Sequence, residues 1–291
     1  MSLAPDSSLT VVSPPARPRG LRWRTLSVGV IALGVAGYLA LGFGFWIYSL
    51  PQDDRLPFRE DFASADLRQW SRLGAKQLCC EHSLRVVADP LRPGRHAARF
   101  ELDRGDPLVR SNQRAEVRLP SATMGDQYRF AFSVYLPPDW VADPIPTNLV
   151  QWHSVSDKLL LEGGPSMPLR LAVIGDRWII DNFWDTKWVT KFAYLPEHPE
   201  GNRLIWSGPL ERGRWVDFDF RVRWSWKDDG RIEVRKDGVV IAQATGPDTY
   251  HDLVAPYMKF GVYVPGWTVD EWQSPVRRRV AYFTDIVVEK R

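Results

Sequence analysis

The chain has 291 residues, of which 44% are hydrophobic and 25% are charged, a composition typical of a folded globular protein. Its formal net charge of +3 is too small to indicate a nucleic acid partner, so that class is excluded. Its two cysteines are adjacent, at positions 79 and 80, and provide neither a zinc motif nor a framework of several disulfides.

The N-terminal segment predicts a membrane anchor. Residues 1–25 are basic and rich in Pro and Ser, which predicts a disordered tail, and residues 26–50 are uncharged and long enough to span a bilayer. Aromatic residues suited to the membrane interface lie at its two ends, Trp23 at one and Trp46 with Tyr48 at the other. Because arginines precede the run and aspartates follow it, we expect a single-pass protein of the cell (inner) membrane. Its N-terminus would be cytoplasmic, with residues 51–291 as a periplasmic domain.

A cleaved signal peptide is the alternative for the same segment. The apolar run is longer than the hydrophobic region of most signal peptides, and no small-x-small cleavage site occurs between Gly44 and Gln52. Both features favour an uncleaved signal anchor. Outside the cytoplasm Cys79 and Cys80 could form a disulfide, and two unpaired thiols are an equally good interpretation.

From residue 58 onward strand signals recur, while helix signals are scarce. The predicted strands are 58–62, 84–87, 97–102, 113–119, 128–136, 149–153, 169–173, 177–182, 215–224, 232–236, 239–244, 257–263 and 279–288. Turn residues separate them, and Asp237-Gly238 is the strongest hairpin signal. The pattern predicts an all-β domain, an antiparallel β-sandwich or jelly roll, preceded by one transmembrane helix.

The stretch Asn148–His153 gives the first indication of a ligand site. Val150 and Trp152 alternate with Gln151 and His153, so an amide and an imidazole share one face of a predicted strand. An amide and a histidine on an open sheet surface can hold a polar ligand and move a proton. Taken alone, the position of His153 fits a surface histidine at a strand end equally well.

Two other predicted strands carry polar faces. These faces comprise Arg114, Glu116 and Arg118 on one strand, and Tyr257, Lys259, Gly261 and Tyr263 on the other. Gly261 leaves room for a ligand to approach the backbone. A fourth polar group, at a strand end, comprises Asp181, Asn182, Trp184 and Asp185. By contrast, the charged residues that alternate along 215–224 are most simply a solvated outer face.

A Lys, a Tyr, an Arg, a His and a Gln on sheet faces fit β-elimination on an anionic, uronate-containing polysaccharide. That reaction removes the proton α to a carboxylate, so a cation or an amide must neutralise the carboxylate and stabilise the enolate-like intermediate. A base takes the C5 proton, and an acid protonates the leaving glycosidic oxygen. A non-catalytic carbohydrate-binding sandwich and a glycoside hydrolase are the alternatives. Hydrolysis needs two carboxylates, for which Glu116 with Asp217 or Asp219 are candidates.

Short motifs in residues 58–288 occur in the order seen in the heparin lyase I-like polysaccharide lyases. They include Gln113-Arg114-Ala115-Glu116, Gln151-Trp152-His153, Lys236-Asp237-Gly238 and Tyr257-Met258-Lys259-Phe260-Gly261-Val262-Tyr263. The stretch Cys79-Cys80-Glu81-His82-Ser83 is similar to the beginning of a bacterial branch of that group. The chain thus resembles a bacterial, membrane-anchored member of this family.

The resemblance implies a jelly-roll lyase with a substrate groove across one concave sheet. By position it implies that His153 and Tyr263 are the catalytic acid and base and that Lys259 is the third catalytic residue. The expected substrate-binding residues are Arg114, Gln151, Asn112, Glu116, Tyr257 and Trp184, of which Arg114 and Gln151 neutralise the carboxylate together with Lys259.

Some members of that family bind calcium away from the cleft, but the sequence itself requires no cofactor and identifies no metal ligand. We expect a monomer whose partners are an anionic polysaccharide and the membrane. One departure from the family pattern concerns the substrate. The family usually has a basic residue after the catalytic tyrosine, and here Val264 and Pro265 follow it, which disfavours highly sulfated heparin.

Overall fold

The computed structural model describes residues 21–49, 55–70, 76–164, 166–191, 198–268 and 274–291. The chain divides into two structural units between Phe43 and Gly44. The predicted tail falls largely outside the described residues, as do the side chains of Trp23, Trp46 and Tyr48.

One α-helix, α1, spans Leu21–Ser49. Its segment Val28–Phe45 has a mean hydropathy of 2.0 and is long and apolar enough to cross a membrane. Length and composition are equally those of a signal sequence, so both alternatives for this segment remain open.

The second unit is built from fifteen strands in the described residues. They are β1 (Phe58–Glu60), β2 (Lys76–Gln77), β3 (Leu84–Ala88), β4 (His96–Asp103), β5 (Arg114–Ser121), β6 (Gln127–Tyr135), β7 (Thr147–His153), β8 (Leu169–Ile174), β9 (Arg177–Trp184), β10 (Gly201–Pro209), β11 (Trp215–Arg223), β12 (Arg231–Lys236), β13 (Val239–Thr245), β14 (Tyr257–Tyr263) and β15 (Arg278–Lys290).

The strands form two antiparallel sheets. Sheet A has the order β13-β12-β11-β6-β15-β4-β3, with β1 added on β15, and sheet B has the order β10-β9-β8-β7-β14-β5-β2. Strands distant in sequence are therefore neighbours, as expected for a jelly roll. The predicted all-β sandwich is confirmed.

The core lies between the sheets because each strand buries alternate residues. Trp152 of sheet B packs against Phe220 of sheet A with ring centroids 4.7 Å apart, and Phe130 contacts the same tryptophan at 5.4 Å. Full burial of each such aromatic contributes about 1.5–3 kcal/mol. Trp152 thus fixes the face of β7 that points inward, and Gln151 and His153 lie on the opposite face.

All thirteen predicted strands are present: the ends of β14 are as predicted, and no end of the others is shifted by more than two residues. Two observed strands were not predicted. One is β2, which has only two residues, and the other is β10, an edge strand with glycines near both ends and a bulge between Leu204 and Trp206. The charged face of β11 is confirmed as an outer face of sheet A, where Asp219 pairs with Arg129 at 2.8 Å. Cys79 and Cys80 form a disulfide.

Candidate active site

Three neighbouring strands of sheet B, β5, β14 and β7, carry the polar faces predicted from the sequence. Their register places Lys259 between Arg118 and Gln151, and Tyr263 between Arg114 and Asn148. At the other end of β14, Tyr257 lies opposite His153. Pairing of distant strands therefore brings these side chains onto one surface, which we call the polar face of sheet B.

Glu116 is the centre of a buried network beneath this face. Its Oε2 accepts a hydrogen bond from Lys259 Nζ at 2.6 Å and from an Arg114 terminal nitrogen at 3.4 Å. Its Oε1 accepts a hydrogen bond from the Gln151 side-chain amide. Glu116, Lys259 and Gln151 are each only 1% exposed. The carboxylate therefore holds three donors in place rather than facing solvent.

The protonated, charged form of Lys259 is favoured by its contact with Glu116. Burial lowers the pKa of Lys259 to about 8, and the positive charge of Arg114 acts in the same direction. The Glu116 carboxylate opposes both effects and favours the ammonium form. Lys259 is thus mostly protonated at neutral pH and begins to lose its proton in mildly alkaline solution.

Tyr263 lies against the guanidinium of Arg114, whose central carbon is 4.4 Å from the ring centroid. Its hydroxyl donates a 3.4 Å hydrogen bond to Asn112 Oδ1. Burial raises the pKa of Tyr263, and the charge of Arg114 partly counteracts this. The phenol therefore retains its proton at neutral pH and is suited to be a proton donor.

His153 lies in a second stack at the other end of β14. Its ring is stacked on Tyr257 at 5.5 Å, and the guanidinium of Arg118 covers Tyr257 at 4.3 Å. The Nδ1 atom is 3.0 Å from the Ser154 carbonyl oxygen, an acceptor, which assigns the proton of a neutral imidazole to Nδ1. Nε2 is then left with a lone pair for accepting a proton.

The charge state of His153 agrees with that assignment. Burial, and next the positive charge of Lys259, lower the pKa of His153 to about 3. Although the side chain is half-buried rather than fully enclosed, both causes act in the same direction. His153 is therefore neutral at neutral pH.

Lys259 lies between the two candidate proton-transfer groups. Its Nζ is 5.8 Å from the Tyr263 ring centroid, and its charge is the largest charge effect on His153. Tyr263 and His153 thus flank one buried ammonium group.

Two donors next to Tyr263 have unused hydrogen-bonding capacity. Within the described part of the chain, Arg114 Nε and Asn148 Nδ2 are buried without a hydrogen-bond partner. Arg114 and Asn148 are the cross-strand neighbours of Tyr263 on its two sides. Buried donors without partners cost free energy, so an acceptor that reached them would bind favourably.

Most of the predicted site residues meet on this face, including Asn112 through its contact with Tyr263. Trp184 does not: alternation along β9 puts it on the face opposite Asp181, and its ring covers Gly201 and the guanidinium of Arg203. The interpretation of Gly261 was also wrong. A Cβ at Gly261 would lie 2.2 Å from the Ala115 carbonyl oxygen, so this glycine permits close strand packing rather than ligand approach.

Two residues of the site were missed from the sequence. Gln77 accepts a 3.2 Å hydrogen bond from Arg114, and Arg170 forms a bidentate pair with Asp181 while donating to Asn148 at 3.2 Å. Arg170 stands between Leu169 and Leu171, an alternation that could have placed it on the polar face. Gln77 carried no such signal because β2 is so short.

The carboxylates considered for glycoside hydrolysis do not form a pair. Glu116 is in sheet B and engaged by Lys259, whereas Asp217 and Asp219 are on β11 of sheet A, where they contact Ser133 and Arg129. Two carboxyl groups flanking one bond are required for hydrolysis. These candidates therefore do not support that reaction.

Calcium does not fit the ligand groups found. Among the described residues, the sets of three ligating side chains that lie close together are Cys79, Cys80 and Asp106, and His82, Asp103 and Asp106. Calcium prefers six to eight oxygen ligands, whereas these sets include sulfur or imidazole nitrogen. No step of the reaction is assigned to a metal.

The chain is similar to known proteins in both sequence and fold. Residues 62–286 match the family described as "Polysaccharide lyase". The fold is similar to the endo-β-1,4-glucuronan lyase of the fungus Trichoderma reesei, with 15% identity and a TM-score of 0.64 over 80% of this chain and 95% of that one. The alginate lyase Aly36B shows 13% identity and a TM-score of 0.49, with 80% and 96% covered.

A third similar structure is the alginate lyase AlyA1 from Zobellia galactanivorans, with 16% identity, a TM-score of 0.46 and coverage of 73% and 82%. No curated protein sequence matches the chain. At these identities, the likeness to the glucuronan lyase shows a shared fold.

Proposed function

The chain belongs to the polysaccharide lyase family, and from that premise we propose that it cleaves a uronate-containing polysaccharide by β-elimination on the polar face of sheet B. The observation that carries the proposal is the arrangement of His153 and Tyr263 around the charged Lys259, with two donors beside Tyr263 that have no hydrogen-bond partner in the described part of the chain.

His153 is proposed as the base. Its Nδ1 proton is held by the Ser154 carbonyl, which leaves the Nε2 lone pair for the C5 proton of the uronate. A base that is neutral at the working pH can accept that proton. The positive charge of the resulting imidazolium beside Lys259 is stabilised by the bound carboxylate and by the enolate-like intermediate.

Tyr263 is proposed as the acid that protonates the leaving glycosidic oxygen. Its phenol is protonated at neutral pH, and Arg114 against its ring stabilises the phenolate that remains after transfer. The acid and base roles expected from the resemblance are thus divided between two groups whose protonation states suit them.

The substrate carboxylate is proposed to bind Arg114 Nε and Asn148 Nδ2. Both donors lack a hydrogen-bond partner among the described residues, and they flank Tyr263. Lys259 and Gln151, expected to contact the carboxylate, are instead held by Glu116 beneath the face. We propose that they act from there, Lys259 through its charge and Gln151 by fixing the position of Glu116.

The substrate class follows from the charges on this face. Among the described residues, five cations lie near Tyr257 or Tyr263: Arg110, Arg114, Arg118, Arg170 and Lys259. Glu116 compensates Lys259 and Asp181 compensates Arg170, so the surface stays positive and suits a chain of carboxylates. Val264 and Pro265 after Tyr263, where the resembled family has a basic residue, disfavour a chain bearing several sulfates. The similar fungal protein is a glucuronan lyase. We propose a polyuronate of low sulfation as the substrate. The finer likeness to heparin lyase I stays a prediction of the sequence.

The location is proposed from α1 and the arginines before it. An uncleaved anchor would hold the β-sandwich at the outer side of the inner membrane, where large extracellular glycans are accessible.

The test uses the full-length chain in detergent micelles with polyglucuronate, alginate, hyaluronate and heparin. Elimination produces an unsaturated sugar, so product is followed by near-ultraviolet absorbance. We expect Tyr263→Phe and His153→Ala each to lower kcat by at least about 100-fold, as expected for loss of a general acid or base.

Tyr257→Phe is the matched control for kcat, since Tyr257 lies on the same face and strand and is expected to bind substrate rather than to transfer a proton. It should retain most of kcat. Equal losses in Tyr257→Phe and Tyr263→Phe would contradict the assignment of Tyr263. Retention of the chain on one glycan, with no absorbance from any, would favour the carbohydrate-binding alternative.

A further inference from the structure

A cleft of about 490 Å³ opens at the outer face of sheet A, on the side of the sandwich opposite the polar face. It lies where β4 and the beginning of β15 meet residues 137–141, which follow β6. Arg278 and Tyr282 alternate with the core residues Ala281 and Phe283, so their side chains lie on the outer face of the sheet, where they line the cleft. Its volume is in the range of small-ligand sites, and it takes no part in the proposed reaction.

Positive charge dominates the lining of this cleft, which we call the arginine cleft. Its arginines are Arg99, Arg277, Arg278 and Arg279, and its one acidic residue is Asp139. The Glu101 carboxylate pairs with both Arg99 and Arg278, so one negative charge serves two guanidinium groups. Arg277 is exposed and forms no ion pair within the described ranges. The arginine cleft therefore has an excess of positive charge that an anionic ligand can reach.

Arg279 fixes the wall of the arginine cleft. This side chain is only 2% exposed, and its guanidinium carbon lies 4.4 Å from the centroid of the Trp140 ring. It donates a 2.6 Å hydrogen bond to the Val141 carbonyl oxygen and pairs with Asp143 at 3.3 Å. Because these contacts join β15 to the segment after β6, the cleft is a preformed feature of the fold.

An aromatic ring stands beside the arginines. Tyr282 is half-buried, its ring meets the edge of Tyr135 at 5.5 Å, and the Arg99 guanidinium carbon lies 6.0 Å from its centroid. A guanidinium pairs with a carboxylate through two parallel hydrogen bonds. An aromatic ring supplies a flat apolar surface on which the C–H face of a sugar can pack. The two together are suited to a sugar acid.

We propose that the arginine cleft is a second, non-catalytic binding site for a polyuronate chain. Arg277 and Arg278 pair with its carboxylates, and Tyr282 packs against a sugar ring. The identity of the glycan rests on the proposed function, whereas the need for a carboxylate rests on the charges of the cleft itself. A long polymer held there stays near the polar face after each cleavage, which raises its local concentration at the reacting site.

An anionic membrane surface is the other large partner that carries negative charge. Proteins that lie on a bilayer combine basic residues with apolar side chains that enter the acyl boundary. Among the described residues that line the arginine cleft, Val141 is the only large hydrophobic one that is exposed. The lining therefore favours a glycan.

The experiment counts binding sites by isothermal titration calorimetry on the full-length chain in detergent micelles. The ligand is a short oligoglucuronate, too short to span the two sides of the sandwich, and every protein carries Tyr263→Phe so that the ligand is not cleaved. We expect two oligomers per chain in this background. Addition of Arg277→Gln and Arg278→Gln should leave one, because loss of hydrogen bonds to a charged group weakens the second site at least about 10-fold.

The matched control is Arg223→Gln/Arg231→Gln. These two arginines are exposed cross-strand neighbours on β11 and β12 of the same sheet, and neither lines the arginine cleft. The control removes the same charge and should still bind two oligomers. Arg277→Gln alone breaks no ion pair and should weaken the second site in the same direction as the double cleft variant. Tm, measured for every variant, shows that the fold is kept.

The two proposals of this article fail in different ways. If the polar face binds no uronate, the background chain should bind one oligomer and the double cleft variant none. That result contradicts the proposed function and supports the arginine cleft.

Four results would overturn the arginine cleft as a polyuronate site. They are an unchanged number of oligomers in the double cleft variant, an equal loss in the control, and equally tight binding of a neutral glucan oligomer of the same length. The fourth is binding of phosphatidylglycerol vesicles that depends on Arg277 and Arg278 while binding of the oligoglucuronate does not, which would assign the cleft to the membrane.

Discussion

Replacement of Glu116 by Gln tests whether the buried network organises the polar face. The change keeps the shape of the side chain and removes its charge. Oε2 now receives Lys259 and Arg114, and Oε1 receives Gln151. A glutamine offers one acceptor and one NH₂ group, so whichever way it is oriented, a donor faces a donor.

The expected cost follows from the burial of the pair. Lys259 and Glu116 are each 1% exposed, and loss of one partner leaves the other charge uncompensated. Breaking a buried ion pair in this way costs about 3–5 kcal/mol. For a domain of this size each kcal/mol lowers Tm by about 2–4 °C, so Glu116→Gln should lower Tm by about 6–20 °C.

A double-mutant cycle gives the sharper result. In Glu116→Gln/Lys259→Met neither charge is left buried and unpaired, so much of the lost stability should return. Thermal unfolding of the full-length chain in detergent, followed by tryptophan fluorescence, measures Tm for both single variants and the double variant. Glu233→Gln, which removes a more exposed ion-paired carboxylate on sheet A, is the control and should change Tm by only a few degrees.

The pH profile provides a second readout that a structural role alone would not change. Glu116 raises the pKa of Lys259, which stands at about 8. Without Glu116, Lys259 should lose its proton at lower pH, and the alkaline limb of kcat should move below pH 8. A Glu116→Gln variant with unchanged Tm and an unchanged alkaline limb would refute the reasoning about this network.

Three further predictions concern other residues. Gly261→Ala should strongly destabilise the domain in a denaturant titration, because its Cβ would meet the Ala115 carbonyl oxygen at 2.2 Å, whereas Gly105→Ala, with open space around it, should be near neutral. The pKa of Asp157 is raised by burial to about 6, so the folded state retains a proton that the unfolded chain loses near pH 4. The free energy of unfolding should thus fall from pH 4 to pH 6. At pH 7, Asp157→Asn should raise the free energy of unfolding, measured by denaturant titration, by up to about 3 kcal/mol. A Tm of the parent chain that does not change with pH would contradict this. Asn148→Ala should lower kcat/KM by about 10- to 100-fold, because it removes a hydrogen bond to the charged carboxylate of the substrate. The control Asn202→Ala, at an exposed position, should leave kcat/KM unchanged.

The sequence predicted the sandwich because β-strands with one buried face alternate visibly. The alternation of Val150 and Trp152 with Gln151 and His153 is such a pattern, and it assigned the correct face to each residue. The edge strand β10 lacked this pattern because only part of it is buried, and β2 was too short to show one.

The composition of the site was predicted better than its internal contacts. Period-2 alternation places Lys259 and Gln151 on the polar face, but it does not show whether they reach solvent or bind Glu116 beneath it. That depends on which strands pair, and β5 pairs with β14 although Glu116 and Lys259 are 143 positions apart in the sequence. Trp184 was grouped with Asp181 at one strand end, although alternation along β9 puts the two side chains on opposite faces.

The most direct test of the central claim is whether bond cleavage takes up oxygen from water. The full-length chain would be incubated with polyglucuronate in water labelled with heavy oxygen, and the products would be analysed by mass spectrometry. Elimination at the polar face predicts unsaturated products that carry no label and are lighter by one water molecule than hydrolysis products. Saturated products that have taken up one labelled oxygen for each bond cleaved would contradict the account.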